Sequence, residues 1–170
     1  MERKSVFVDL PGIGFPIRIE TYHRDAVEER KGIILAFHGT GSSTEVYNGI
    51  WSPARSGNYE IVTLDTPGYG ESQHVDEFSN TAIDEAEVGK QVLDHYGVED
   101  EVYLVGHSRG IGPVYKLEQM LGDKVVKIAS LEGIFIDKEH DPVAQIVLSY
   151  QGDEDKFILP GEGYDAIVNG

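Results

Sequence analysis

The sequence has no cysteine among its 170 residues. Disulfides, thiolate nucleophiles and cysteine-based zinc sites are therefore excluded. Long apolar runs are also lacking; none approaches the roughly 20 residues that a membrane-spanning helix needs. The N-terminus, Met1-Glu2-Arg3-Lys4 followed by a brief Val-Phe-Val stretch and Asp9, has no apolar region of secretory-signal length. These absences make the cytoplasm the expected location. Basic residues are scarce: 14 Lys and Arg stand against 30 Asp and Glu, a net charge of −16. Such a surface repels nucleic-acid phosphates and anionic lipid, so neither nucleic acid nor membrane is expected as a partner. No H-E-x-x-H or comparable spacing is present, and the G-x-x-x-x-G-K-[ST] phosphate loop is absent. The sequence thus calls for no metal and no cofactor.

Hydrophobic residues make up 40% of the chain, enough for one sizeable core, and residues 1–170 read as a single domain with little or no lid. Ser5–Leu10 and Pro16–Tyr22 read as two strands joined by a Gly/Pro turn. Gly32–Phe37 is a continuous apolar run, the pattern of a strand buried on both faces. Ile61–Asp65, Glu101–Val105, Val125–Leu131 and Ala144–Tyr150 repeat it. Helices are expected between them. Thr44–Trp51 is short and weak. Thr81–Tyr96 is the best, with Ala82, Ile83, Ala86, Val92, Leu93 and Tyr96 forming a stripe, Thr81 and Asp84 fitting a capping box, and Gly97 at its end. Arg109–Leu121 is stopped by Gly122. Acidic residues in 76–87 and 99–101 read as solvated helix faces and turns. Strand–helix alternation with buried strands argues for an α/β fold with a mostly parallel sheet covered on both faces. Ligands bind such sheets outside the carboxyl ends of the strands, so the segments after each strand carry the chemistry.

After Glu101–Val105 comes Gly106-His107-Ser108-Arg109-Gly110, a G-x-S-x-G between a strand and a helix. Side chains at the glycine positions would clash in so tight a turn. The turn lifts Ser108 above the sheet edge as a nucleophile, and the helix N-terminus beneath it favours developing negative charge. The Arg109 N–H is half of an oxyanion hole. After Gly32–Phe37 comes His38-Gly39-Thr40-Gly41-Ser42-Ser43, whose glycines let backbone amides face a site; the Thr40 N–H is the second candidate donor. Gly39 and His107 are expected to border bound substrate. His38 is placed with them as a loop-orienting residue rather than a base. The third segment, Asp65-Thr66-Pro67-Gly68-Tyr69-Gly70-Glu71-Ser72, is by itself a turn.

In this order the three segments, with Pro113 just after the serine, resemble the α/β-hydrolase superfamily, and the resemblance covers roughly residues 5–155. It implies an α/β-hydrolase-like three-layer sandwich, a serine nucleophile, and an acid and a histidine on later strand-end loops. It also implies hydrolysis of carboxylic esters or related bonds of a small-molecule substrate. The serine sets the chain apart from the aspartate-dependent dehalogenase and epoxide-hydrolase branches. The resemblance maps the acid onto Asp155, in Gln151-Gly152-Asp153-Glu154-Asp155 after the last apolar strand.

The expected histidine does not follow. No histidine lies beyond His140, and the last strand and closing helix of the family have no counterpart before Gly170. Three readings stay open: a degenerate or truncated hydrolase without a working triad; a rebuilt site with Glu132 as acid and His140 as base; a base supplied by a partner chain. The functional alternative to an esterase-like serine hydrolase is a non-catalytic domain that binds a small hydrophobic ligand or a protein. A missing last strand would leave a sheet edge open to self-association.

Overall fold

The computed structural model describes residues 4–11, 17–24, 30–51, 59–99, 101–131 and 145–150. Apolar runs bounded by glycine, proline and charge become seven strands: β1 (Lys4–Leu10), β2 (Ile17–Arg24), β3 (Ile33–Phe37), β4 (Glu60–Leu64), β5 (Val102–His107), β6 (Val125–Leu131) and β7 (Gln145–Tyr150). They form one sheet in the order β1-β2-β4-β3-β5-β6-β7. β1 and β2 pair antiparallel, as do β2 and β4; every other pairing is parallel. The mostly parallel α/β sheet expected from the sequence is present, with strand ends displaced by one or two residues.

Two α-helices follow β4 and β5: α1 (Ala82–His95) and α2 (Ile111–Leu121). The Thr44–Trp51 segment is a 3-10 helix. α1 begins as its sequence predicts, with Thr81 and Asp84 closing a reciprocal capping box that satisfies orphan amides of the first turn. Its apolar stripe differs from the expected one. Ile83 is 56% exposed, whereas Glu85, Ala86, Val88, Gly89, Val92 and Leu93 are buried. The close approach at Gly89 sets this phase: a Cβ there would strike the Phe37 ring and sit 3.3 Å from Leu117 Cδ2.

The register puts Leu35 beside Val62 on one side and Leu104 on the other, and Leu104 beside Ile128. Together with Ile33, Phe37 and Leu64 they make one apolar face, which packs with Ala86, Val88 and Val92 of α1 and Val114 and Leu117 of α2. Each such side chain contributes about 1.5–3 kcal/mol by leaving water. The β3–β4 connection runs across the sheet in the opposite direction to the β4–β5 and β5–β6 connections. Right-handed crossovers then demand opposite faces. Between β3 and β5 the winding reverses, which makes the carboxyl ends of these two strands the switch point where open α/β sheets bind ligands. Among the described residues no helix is long and apolar enough to cross a membrane.

Candidate active site

β5 carries the chain to that switch point and stops abruptly. Ser108 has φ +52°, a left-handed conformation that a serine adopts only under constraint. The neighbouring glycines supply the constraint. A Cβ on Gly106 would lie 2.8 Å from Gly110 O and from Ile111 Cα, so the helix turns back directly over the strand end. A Cβ on Gly110 would drive into the Phe37 and His38 carbonyl oxygens, the latter at 2.7 Å. The turn runs through a short 3-10 stretch, Ser108–Gly110, before α2 proper. The sequence predicts a helix from Arg109, but α-helical bonding begins only at Ile111, because the corner is too tight for i→i−4 bonds at once. Ser108 is half-buried, and Arg109 lies in the first turn, where amides lack intrahelical partners.

The loop after β3 meets this corner. A Cβ on Gly39 would lie 3.0 Å from both Ser108 Cβ and His107 Nδ1, so the Gly39 backbone rests directly against the serine. Thr40, one residue on, is exposed. Tyr47, from the 3-10 helix, donates its hydroxyl to Phe37 O at 2.6 Å and ties down the end of β3. Burial raises the Tyr47 pKa and keeps that donor protonated.

His38 turns inward and is 1% exposed. Its Nδ1 lies 2.8 Å from Gly39 O, and its Nε2 accepts the Thr66 N–H at 3.2 Å. The carbonyl can only accept and the amide can only donate, which fixes the neutral tautomer with the proton on Nδ1. Burial pulls the His38 pKa down, the bond to Gly39 O opposes it, and the nearby Arg109 and His107 add to the lowering. The loop after β4 supplies the support. Asp65, 2% exposed, accepts the Thr44 N–H at 2.7 Å, and Ser72 Oγ donates to Asp65 O at 2.6 Å. Gly70 passes so close to the Asp65 carboxylate that no side chain fits there.

The Arg109 side chain reaches toward α1 and the loop after β4. Its Nη1 lies 2.8 Å from Glu85 Oε1, and its guanidinium stands 5.5 Å from the centroid of the Tyr69 ring. Glu85 is 1% exposed. Burial raises its pKa, and Arg109 pulls it back some of the way. Sequence reasoning assigned this acidic stretch to solvent and missed both Glu85 and Tyr69. The signal was available: Glu85 is three residues before Val88, four before Gly89 and seven before Val92, in phase with the buried stripe.

The structure therefore brings Ser108, Arg109, Gly39, Thr40, His38 and His107 to one corner. Glu132, His140 and Asp155 lie outside the described residues. An open cavity of about 440 Å³, lined by residues including Lys31, Glu99, Glu101, Asp123 and Lys124, lies at the other end of the strands. Its charges are mixed and the residues that line it include no serine or histidine, so the chemistry is sought at Ser108.

Residues 28–157 match the family model for serine aminopeptidase, S33. Among solved structures, the chain is similar to a predicted CIB-like hydrolase from Thermoplasma acidophilum, with 18% identity, a TM-score of 0.73, and coverage of 87% of this chain and 73% of that one. It is also similar to the epoxide hydrolase VrEH1 from Vigna radiata, with 20% identity, a TM-score of 0.67, and coverage of 79% and 40% respectively. A thioesterase domain from the curacin biosynthetic pathway gives 19% identity, a TM-score of 0.66, and coverage of 79% and 48%. At these identities the likeness is one of fold. The chain spans about two-fifths of the length of the epoxide hydrolase.

Proposed function

This chain belongs to the S33 serine aminopeptidase family of the α/β-hydrolase superfamily, and from that premise we propose that it is an esterase-like serine hydrolase acting on a carboxylic ester or related acyl substrate through Ser108. The observation that carries the reading is the left-handed Ser108 at the strand-to-helix corner with the Gly39 backbone against its Cβ. Ser108 Oγ attacks the acyl carbon, its proton passes to a general base, and the bond to the leaving group breaks as the base hands that proton to the departing oxygen or nitrogen. Water then repeats the cycle on the acyl-enzyme. The Thr40 and Arg109 amides receive the oxyanion; each such donor is worth about 10²–10³ in rate. Gly39 and His107 border the acyl group, and His38 organises the loop from beneath. Its ring is committed to Gly39 O and Thr66, so the base is sought elsewhere. His140, with Glu132 or Asp155 as the acid, is the base proposed.

The test is labelling by a fluorophosphonate, with turnover of p-nitrophenyl esters and amino-acid p-nitroanilides. Ser108 should be modified, Ser108→Ala should abolish both label and turnover, and His140→Ala should slow both strongly. A wild-type protein that neither labels nor turns over any of these substrates would reject the reading. It would leave the alternative, a non-catalytic domain that binds a small hydrophobic ligand or a protein.

A further inference from the structure

We propose that Glu85, Arg109, Tyr69 and His38 form a positioning strap that ties the Arg109 amide to the Thr40 amide, so that the two donors flanking Ser108 are set by one connected run of side chains. The inference rests on the serine-hydrolase reading and deepens it.

The strap starts on α1. Glu85 Oε1 meets Arg109 Nη1 at 2.8 Å, and the same nitrogen donates to the carbonyl of Asn80 at 3.4 Å. Asn80 itself holds φ +51°, the other non-glycine residue in the left-handed region among the described residues. The planar guanidinium faces the Tyr69 ring 5.5 Å away, an arrangement of cation over π-face. Tyr69 in turn meets the His38 ring, with centroids 5.0 Å apart and planes tilted by 59°. His38 then bonds to Gly39 O at 2.8 Å.

The last contact gives the strap its purpose. Gly39 C=O and Thr40 N–H belong to one planar trans peptide, in which carbonyl and amide point in opposite directions. Holding Gly39 O toward His38 therefore aims the Thr40 N–H away from His38. At the other end, Arg109 carries its own amide beside Ser108, and the grip of Glu85 and Tyr69 on its guanidinium restrains that residue. A buried ion pair is often matched or beaten in stability by apolar residues of similar volume, but removing one partner leaves an uncompensated charge. What this pair supplies is a fixed direction.

The test measures the second-order rate of Ser108 phosphonylation by a fluorophosphonate, with melting curves to confirm folding. Glu85→Gln, Arg109→Met and Tyr69→Ala should each slow labelling by about 10- to 100-fold, the cost of misplacing catalytic groups by up to an ångström. Tyr69→Phe keeps the ring face and should label at the wild-type rate. The double variant Glu85→Gln/Arg109→Met should be no slower than the worse single variant, because the residues act as a unit. Should Arg109→Met fail to fold, Arg109→Lys keeps the charge but loses the planar face and carries the same expectation. Folded variants that label at the wild-type rate would overturn the strap, even with lowered melting temperatures. If the wild type itself is not labelled, the hydrolase reading falls instead. The strap is then judged by the amide resonance of Thr40, which Glu85→Gln must displace; a Thr40 resonance left in place overturns it.

Discussion

Holding a serine at φ +52° costs about 1–3 kcal/mol, and the conformation persists only where the surroundings over-determine it. At Ser108 they do so through Gly106, Gly110 and Gly39, each with a neighbouring atom where a Cβ would go. His38 is the counterpart on the facing loop, and its burial has a consequence for pH. The unfolded chain protonates this imidazole near 6.5, whereas the folded protein does so only at lower pH, chiefly because the ring is desolvated. The stabilisation is therefore complete above about 6.5 and drains away as pH falls through that value toward the folded pKa. Between those limits the slope is at most about 1.4 kcal/mol per pH unit. Urea unfolding at pH 7.5 and 5.5 should show wild type losing more stability on acidification than His38→Asn. Equal losses would mean that His38 titrates alike in both states. That His38 belongs to the loop beside Ser108 was legible from its place between a buried strand and a glycine. Its bond to Thr66 was not, because that contact spans 28 residues of sequence.

At the scale of elements, α1 was the clearest feature of the sequence, and its cap is the reason. Thr81 Oγ1 accepts the Asp84 N–H at 3.3 Å, while Asp84 Oδ2 accepts from Thr81 N at 3.4 Å and from Thr81 Oγ1 at 2.7 Å. Thr81→Ala removes the hydroxyl partner and should cost about 1 kcal/mol of global stability by urea unfolding. An unchanged midpoint would show that tertiary packing alone fixes the start of this helix. Near that start stand Asn80 and Glu85, which hold Arg109, so the capping signal marks an element that reaches the site. The inner face of the same helix was misjudged at Ile83 and Glu85. Hydrophobicity assigned Ile83 inward, but the small Gly89 sets how α1 rolls onto Phe37 and α2. For Ile83 the side-chain pattern carries no record of such backbone approach, whereas the spacing of Glu85 to Val88 and Val92 did carry its signal. The strand order is similarly opaque. Adjacency of β5 and β6 followed from their succession in the chain, whereas the insertion of β4 between β2 and β3 is a tertiary choice.

The whole molecule carries 14 basic and 30 acidic residues, and the resulting −16 bears on the ends of its sheet. Among the described residues β1 and β7 are the terminal strands, and β1 presents Phe7 at 45% exposure. An edge with an exposed aromatic ring is a template for strand pairing with a second copy. The acidic surface opposes that approach, because like-charged copies repel over a Debye length, about 10 Å at 0.1 M salt and 3 Å at 1 M. Self-association should therefore be weak at neutral pH in dilute salt. It should strengthen as salt rises or as pH approaches the isoelectric point of about 4.6. Sedimentation velocity at pH 7.5 across 0.05–1 M NaCl (roughly a four-fold contraction of the screening length) reads this directly. The sedimentation coefficient of wild type should climb with salt, and Phe7→Lys, which places a charge on the edge, should hold it at the monomer value. A wild-type coefficient that does not move with salt would mean that the edges are protected by something other than charge. A Phe7→Lys protein that still associates would shift the contact away from β1.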